Sequence, residues 1–251
     1  KFFRAYFYFE KVKRFGDVPW VNKPLDVADT LILYGGRDSR TLVMDSVLAD
    51  INYACENILT TTDQSRSTIT KYVAYALKSR ICLFEGTFRK YHTELNLQAT
   101  ADTWLTNAAT AANTVMDEGG FSVYTTGGPD KSYRALFTSD SPVASEIMLS
   151  AISDITLKVL NDANWYWTSG TYGDKASFIR TFINTYLNID GTPFTNNPDW
   201  PTMLFKDEVK GRDMRLQQTI RMGDYKRIVG GTPIPAPPVF SPVVSWRSLF
   251  P

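Results

Sequence analysis

Apolar positions at the start of the chain recur with the period of an α-helix. The opening stretch, KFFRAYFYFEKVKRFGDVPW, places six aromatic residues among its first nine positions. Phe2, Tyr6 and Phe9 form one row, and Phe3 and Phe7 form a neighbouring row, with spacings of three or four residues. This pattern predicts a helix with both aromatic rows largely buried. Because no capping residue precedes the aromatics, we expect the chain to begin inside a helix of a longer protein.

Three further amphipathic patterns follow, over residues 39–59, 70–90 and 101–118. Polar turns separate them, so they predict antiparallel helical hairpins of the tetratricopeptide-like kind. Cys55 and Cys82 lie on the apolar rows of the first two patterns, and we expect both to be buried and unpaired. Together with the opening helix, these patterns predict a helical scaffold over about residues 1–120.

The pattern changes after Gly120, where Ser, Thr, Gly and aromatic residues replace the helical period. We predict a loop-rich part over residues 121–251, with no sustained helix in 121–175, one short strand at 146–152 and one helix at 177–187. The chain stops at SLFP, with apolar groups at its end, and both ends are therefore expected to be truncated. The predicted fold class is mainly α, with helical hairpins, a loop-rich face and little strand, in a single incomplete domain.

Composition and charge narrow the class of protein. Apolar residues make up 43% of the chain and charged residues 21%, which is typical of a globular protein. The 27 basic and 26 acidic residues leave a net charge of +1, which argues against a dedicated nucleic-acid binder. No apolar run approaches the roughly 20 residues needed to span a bilayer. Two cysteines and one histidine exclude a zinc cluster and a disulfide scaffold, and we predict no metal and no cofactor.

Candidate catalytic groups are few. The only histidine, His92, ends a predicted helix in RKYHTEL, where a solvated or capping role is expected. The stretch GGRDSRT has glycines and a serine before a helix but lacks the lysine of a phosphate-binding loop. The acidic pairs Asp117–Glu118 and Asp207–Glu208 are expected to be solvated, although a glycosidase needs only two carboxylates at the right separation. We therefore predict no catalytic residues and keep a glycosidase only as an alternative.

A binding site is better supported, by the stretch NDANWYWTSGTYGD. Trp165 and Trp167 alternate around one residue, so both indoles point to the same side if the chain is extended. Tyr172 follows beside a glycine, and Asn164 and Asp174 stand nearby as partners for hydroxyl groups. Flat aromatic surfaces pack on the C–H faces of sugars at low entropic cost. The other interpretation is a small aromatic core that fixes the loop to the helices.

Two other tryptophans, Trp104 and Trp200, are weaker candidates for a binding role. Trp104 lies on the apolar row of a predicted helix and is expected in the core. Trp200, in NNPDWP, is compatible with either a binding role or a packing role.

Several stretches, taken in order, resemble one family. FFRAYFYFEKVKRFGDVPWV, VMDSVLADINYACENI, TKYVAYALKSRICLFEG, EIMLS, FINTYLNIDGTPF and GRDMRLQQTI resemble successive segments of SusD-like (SusD/RagB) proteins, the surface glycan-capture lipoproteins of Bacteroidetes. The resemblance covers residues 1–225. It implies one incomplete SusD-like domain, with a tetratricopeptide-like helical scaffold carrying a loop-rich binding face.

The resemblance also implies a function. It suggests a lipid-anchored outer-membrane protein at the cell surface, which captures a glycan and acts as a lid on a SusC-like TonB-dependent transporter. Some relatives capture peptide or protein fragments, and this remains the alternative. The lipidated cysteine of the family is not in this chain, and its ligand residues follow no fixed motif, so no site residue can be transferred by position. The family habit of placing aromatic platforms in these loops favours Trp165, Trp167 and Tyr172 as a glycan platform.

Overall fold

The structure is a computed structural model that describes residues 1–154, 156–159, 166, 174 and 177–220, together with the backbone of 226–229 and 232–235. The chain forms two compact units. The first unit consists of residues Lys1–Val123 and Ala144–Ala151, and the second of Tyr124–Val143 and Ile152–Pro251. The main boundary therefore lies close to residue 120, where the helical period of the sequence ends.

The first unit is built from helices: α1 (Phe2–Phe15), α2 (Thr30–Leu33), α3 (Arg40–Asn57), α4 (Lys71–Tyr91) and α5 (Ala101–Glu118). The predicted mainly helical fold is confirmed, and the three long amphipathic patterns coincide with α3, α4 and α5 to within about two residues. Side-chain caps fix the first residues of two of these helices, α3 and α4. The hydroxyl of Ser39 accepts from the N–H of Leu42, and that of Thr70 accepts from the N–H of Val73.

The long helices pack as antiparallel neighbours. Near its start, α1 meets the later part of α3 through an ion pair between Arg4 and Asp50, whereas Asp17 beyond its end accepts from the backbone N–H of Arg40. Helices α4 and α5 approach closely at Gly86, where an added Cβ would lie 2.8 Å from the Leu105 side chain. A glycine is therefore required for this helix contact.

The core of the first unit lies between α1, α3, α4 and α5. Its largest fully buried apolar side chains include Phe9, Met44, Ile51 and Ile81. The predicted burial of the cysteines is confirmed, because Cys55 and Cys82 are both buried and free. Burial raises the pKa of Cys55 to about 11 and that of Cys82 to about 12.

The predicted burial of both aromatic rows of α1 is wrong for one side of the helix. Phe9 is 2% exposed, whereas Phe3 is 70% and Phe7 52% exposed. The helix presents a single face to α3 and α4, and two adjacent rows span more of its circumference than that face covers. The same limit applies at the end of α5, where the apolar pattern of residues 101–118 includes Met116 but this side chain is exposed.

The second unit has short elements. They are α6 (Ser132–Thr138), α7 (Arg180–Ile183), α8 (Phe205–Glu208), α9 (Met214–Thr219), the 3-10 turns Phe194–Asn196 and Trp200–Thr202, and an antiparallel pair of strands, β1 (Lys226–Val229) and β2 (Thr232–Pro235). Leu136, Ile183, Phe194 and Leu216 are buried in it.

Three predictions for residues 121–251 need correction. Residues 146–152 form no strand, although the N–H of Ser150 donates to the carbonyl of Arg66 at 2.7 Å. A seven-residue helix, α6, forms where no sustained helix was predicted. The helix predicted at 177–187 is reduced to α7, since Ile179 is extended and the guanidinium of Arg212 donates to the carbonyl of Ile183 at 3.0 Å. That carbonyl is the acceptor that the N–H of Leu187 would use in a longer helix.

Candidate functional site

The predicted aromatic platform falls largely outside the described residues. This holds for Trp165, Trp167, Tyr172 and Asn164, so their role stays a prediction. Asp174 is described and exposed, and its backbone N–H donates to the carbonyl of Tyr166 at 3.1 Å.

The second unit has a shallow cavity of about 400 Å³ beside α7. Three threonines, Thr181, Thr185 and Thr195, contribute to its lining and are exposed. Leu187 and Pro193 add apolar surface. Two further residues give the cavity its chemical character, Asn184 and Trp200.

Arg180 holds Trp200 in place. Its guanidinium lies 5.4 Å from the centre of the indole ring and donates to the Trp200 carbonyl at 2.7 Å and the Pro201 carbonyl at 2.9 Å. Its Nε also pairs with the Glu208 carboxylate at 3.0 Å. The indole is therefore positioned by a cation–π contact and by a fixed turn of the backbone.

Arg212 holds the end of α7, where Asn184 lies. It donates to the carbonyl of Ile183 at 3.0 Å and of Tyr186 at 2.7 Å, and its guanidinium carbon lies 3.7 Å from the ring centre of Phe194. Burial lowers the pKa of Arg212, and the charge of Glu208 opposes this shift.

Asn184 is the most buried of the residues that line the cavity, at 8% exposure. Both polar atoms of its side-chain amide, Nδ2 and Oδ1, are buried and have no hydrogen-bond partner among the described residues. A buried amide group without partners costs about 1 to 3 kcal/mol per lost partner.

The chemistry of this cavity suits binding better than catalysis. Its lining residues are Thr, Asn, Leu, Pro and Trp, so none of them carries a charge or titrates near neutral pH. The nearby Glu208 is buried and already paired with Arg180. A glycosidase needs two carboxylates across the cleft, and the described residues of this lining include none.

Charged residues cluster elsewhere, inside the first unit. Glu85 is fully buried and pairs with Arg40 and, at 2.8 Å, with Arg89. Arg40 also lies 3.6 Å from the ring centre of Phe88, and His92 stacks on the same ring. His92 is the residue after α4, and its Nδ1 meets the Glu94 carboxylate at 2.8 Å. This cluster ties α3 to α4.

Among the described residues, no group of three or more His, Cys, Asp or Glu side chains is arranged to hold a metal ion. Among the described helices, none has both the length and the apolar character needed to cross a bilayer.

Sequence reasoning named Trp200 but missed the residues around it. Asn184 and Arg180 fall in a stretch that was assigned to a helix, where an Asn and an Arg are ordinary surface residues. The contacts of Arg180 join residues about 20 apart along the chain, and no local pattern indicates such pairing.

Comparison with known proteins identifies the fold through two solved structures. The sequence matches no family model and no curated protein sequence. A SusD-like protein from Bacteroides fragilis superimposes with a TM-score of 0.60 and 23% identity, over 86% of this chain and 41% of its own. A SusD-like carbohydrate binding protein from the same organism gives a TM-score of 0.60 and 17% identity, over 86% of this chain and 38% of its own.

The chain thus spans about two fifths of the length of these two solved structures. At this level of identity the likeness concerns architecture, and it agrees with the resemblance found in the sequence. The chain has the SusD-like fold.

Proposed function

We propose that this protein is the glycan-binding subunit of an outer-membrane uptake system, lipid-anchored at the cell surface. In this role it captures an oligosaccharide or polysaccharide and delivers it to a SusC-like TonB-dependent transporter. The observation that carries the proposal is the shared fold with SusD-like proteins, one of which is described as carbohydrate binding. The protein acts by binding and performs no reaction on its ligand.

Two features of the chain support a sugar as the ligand. The predicted platform of Trp165, Trp167 and Tyr172, with Asn164 and Asp174 beside it, has the residue types that stack on sugar rings and bind hydroxyl groups. The cavity beside α7 has an uncharged lining of hydroxyl, amide and indole groups. Neutral sugars present the same mixture of apolar faces and hydroxyls, whereas peptide capture would favour charged pockets or unpaired strand edges.

The platform is tested with Trp167→Ala in the full-length protein. Glycan affinity should fall roughly tenfold or more, on the scale of aromatic stacking, while the melting temperature stays within about 1 °C. The affinity of the variant is measured by isothermal titration with an oligosaccharide that the unaltered protein binds. Its melting temperature is measured by thermal denaturation. Trp104→Ala is the matched control, because Trp104 is 3% exposed in α5 and its loss should lower stability. A lower melting temperature with unchanged affinity for Trp167→Ala would contradict the platform.

The delivery step is tested separately, by purifying the full-length protein from outer membranes in mild detergent. A TonB-dependent transporter should co-purify in a fixed ratio. Purification without such a transporter would contradict delivery and leave glycan binding standing.

A further inference from the structure

We propose that a further helix of the full-length protein, from outside residues 1–251, packs on the outer side of α1. The contact surface on this chain is the outer aromatic cluster, which consists of Phe3, Tyr6 and Phe7. These residues are spaced three and four apart, so they lie together over the first two turns of the helix. This contact belongs to the helical scaffold and does not depend on glycan binding.

The outer aromatic cluster is exposed to solvent in this chain. Phe3 is 70%, Tyr6 48% and Phe7 52% exposed. With 3.6 residues per turn, these side chains lie on the side of α1 that faces away from the buried Phe9 and Val12. Single apolar residues scattered on a surface are ordinary, whereas three neighbouring aromatic side chains form a patch of the kind that marks a contact surface.

Helix α1 cannot turn to bury this cluster within the first unit, because its other side is anchored. The guanidinium of Arg4 donates to the Asp50 carboxylate of α3 at 2.8 Å. The Tyr8 ring packs on the Trp20 indole, with 4.3 Å between the ring centres. A rotation of α1 would break both contacts and expose Phe9, which is 2% exposed. A partner for the outer aromatic cluster must therefore come from outside these helices.

The two ends of the row of long helices have different outer sides. Helix α1 packs on α3, α3 on α4 and α4 on α5, so α1 and α5 are the outermost of the long helices. The exposed side of α5 is mostly polar and includes Thr103, Thr106, Thr110 and Asn113. In stacked helical arrays, the terminal element needs a polar outer side to remain soluble. Helix α5 meets this requirement, whereas α1, with its outer aromatic cluster, has the surface of an interior helix.

The rest of a SusD-like domain can supply this helix. The matched parts make up 41% and 38% of the two solved structures with this fold, so more than half of each lies outside the match. A helix of the same polypeptide also avoids the entropic cost of association that a second molecule would incur. The Lys11 ammonium lies 5.0 Å from the centre of the Phe7 ring, and Arg14 is exposed about one turn further along. The packing helix should therefore combine an apolar side with a carboxylate near these cations.

The contact is tested by site-specific photo-cross-linking in the full-length protein. Phe7→p-benzoylphenylalanine keeps an aromatic ring in the cluster and forms a covalent bond with whatever lies against it. The expected product is an intramolecular cross-link to a peptide from outside residues 1–251, identified by mass spectrometry. Asn113→p-benzoylphenylalanine, on the polar side of α5, is the control and should give no cross-link to that peptide.

A cross-linked dimer, or a cross-link to another protein, to lipid or to a peptide within residues 1–251, would overturn the proposal, because the occupant would then differ. Absence of any cross-link at Phe7, or equal cross-linking at Asn113, would also overturn it. Hydroxyl-radical labelling of the unaltered full-length protein gives the same answer without a substitution. Phe3 and Phe7 should be oxidised several times more slowly than Phe137, which is 67% exposed in the second unit. Equal oxidation rates at these three residues would contradict a covering helix.

Discussion

Two buried polar side chains, Glu85 in the first unit and Asn184 in the second, differ in how their polar atoms are satisfied. In the first unit, the carboxylate of Glu85 has no exposure and meets Arg40 and Arg89, so its charge is compensated inside the protein. In the second unit, the amide of Asn184 is on a residue that is 8% exposed, and neither of its polar atoms has a hydrogen-bond partner among the described residues. The first arrangement compensates a buried charge and joins two helices, whereas the second leaves a buried amide uncompensated.

The units also differ in how their backbones are fixed. The first unit uses helices of 14 to 21 residues for its scaffold, and their own hydrogen bonds satisfy most of the backbone. The second unit has a four-residue helix whose following carbonyls are bound by Arg212. The loops around α7 are thus held by arginine contacts to the backbone.

The largest loss of stability is expected when the paired carboxylate of Glu85 is removed. Glu85→Ala should lower the free energy of unfolding by about 3 to 5 kcal/mol, because it leaves the buried guanidinium of Arg40 without a counter-charge and that of Arg89 with only the exposed Asp45. Asn184→Ala should change it by less than about 1 kcal/mol, since removing an unpaired amide offsets the small cavity that is formed. The free energies of unfolding of both variants are measured by urea denaturation, and Glu94→Ala, at an exposed position, is the control. Equal losses for Glu85→Ala and Asn184→Ala would remove the contrast between the units.

A smaller loss is expected in the apolar core. Phe9→Ala should cost about 3 kcal/mol, because it removes a fully buried aromatic side chain from the core of the first unit. Phe3→Ala is the matched control on the same helix and should change stability by less than about 0.5 kcal/mol, since Phe3 is 70% exposed. Both values come from denaturant titration. A large loss for Phe3→Ala in this chain would contradict the assignment of the buried face of α1.

The smallest effect concerns pH. Burial alone would raise the pKa of Asp50, but its bonds to Arg4 and Lys1 outweigh this and lower it. A lowered folded pKa means that this carboxylate stabilises the first unit above its unfolded pKa of about 3.9, and that the contribution is lost as the pH falls through the folded pKa. Asp50→Asn should therefore cost about 1 to 2 kcal/mol at pH 7, and the difference from the unaltered protein should shrink below pH 4.

The measurement is the free energy of unfolding of both proteins between pH 2 and pH 7. Asp102→Asn, at an exposed position of α5, serves as the control. A difference that stays constant across this range would show that the Asp50 ion pair does not supply the stability.

How much the sequence predicts also differs between the units. Helices α3, α4 and α5 are predicted to within about two residues, because each has a sustained apolar row and a polar turn at its end. Burial of Cys55 and Cys82 follows from the same rows. The outer aromatic row of α1 is not predicted correctly, since periodicity shows which residues share a face but not how much of that face a neighbour covers.

The second unit is less predictable for a physical reason. The end of α7 depends on Arg212, which bonds to carbonyls 26 and 29 residues earlier in the chain. Such contacts leave no local pattern. Of the candidate site residues, Asp174 alone is described, and Trp200 was compatible with two roles. Asn184 could not be identified, because an unpaired buried amide is recognised only once its surroundings are known.

Glycan binding itself is tested most directly by equilibrium titration of the full-length protein with neutral oligosaccharides, alongside a peptide digest at the same concentrations. The account predicts saturable binding to at least one neutral oligosaccharide, weakened roughly tenfold in Trp167→Ala, and no binding to the peptides. Saturable binding to peptides with no response to any oligosaccharide would contradict it.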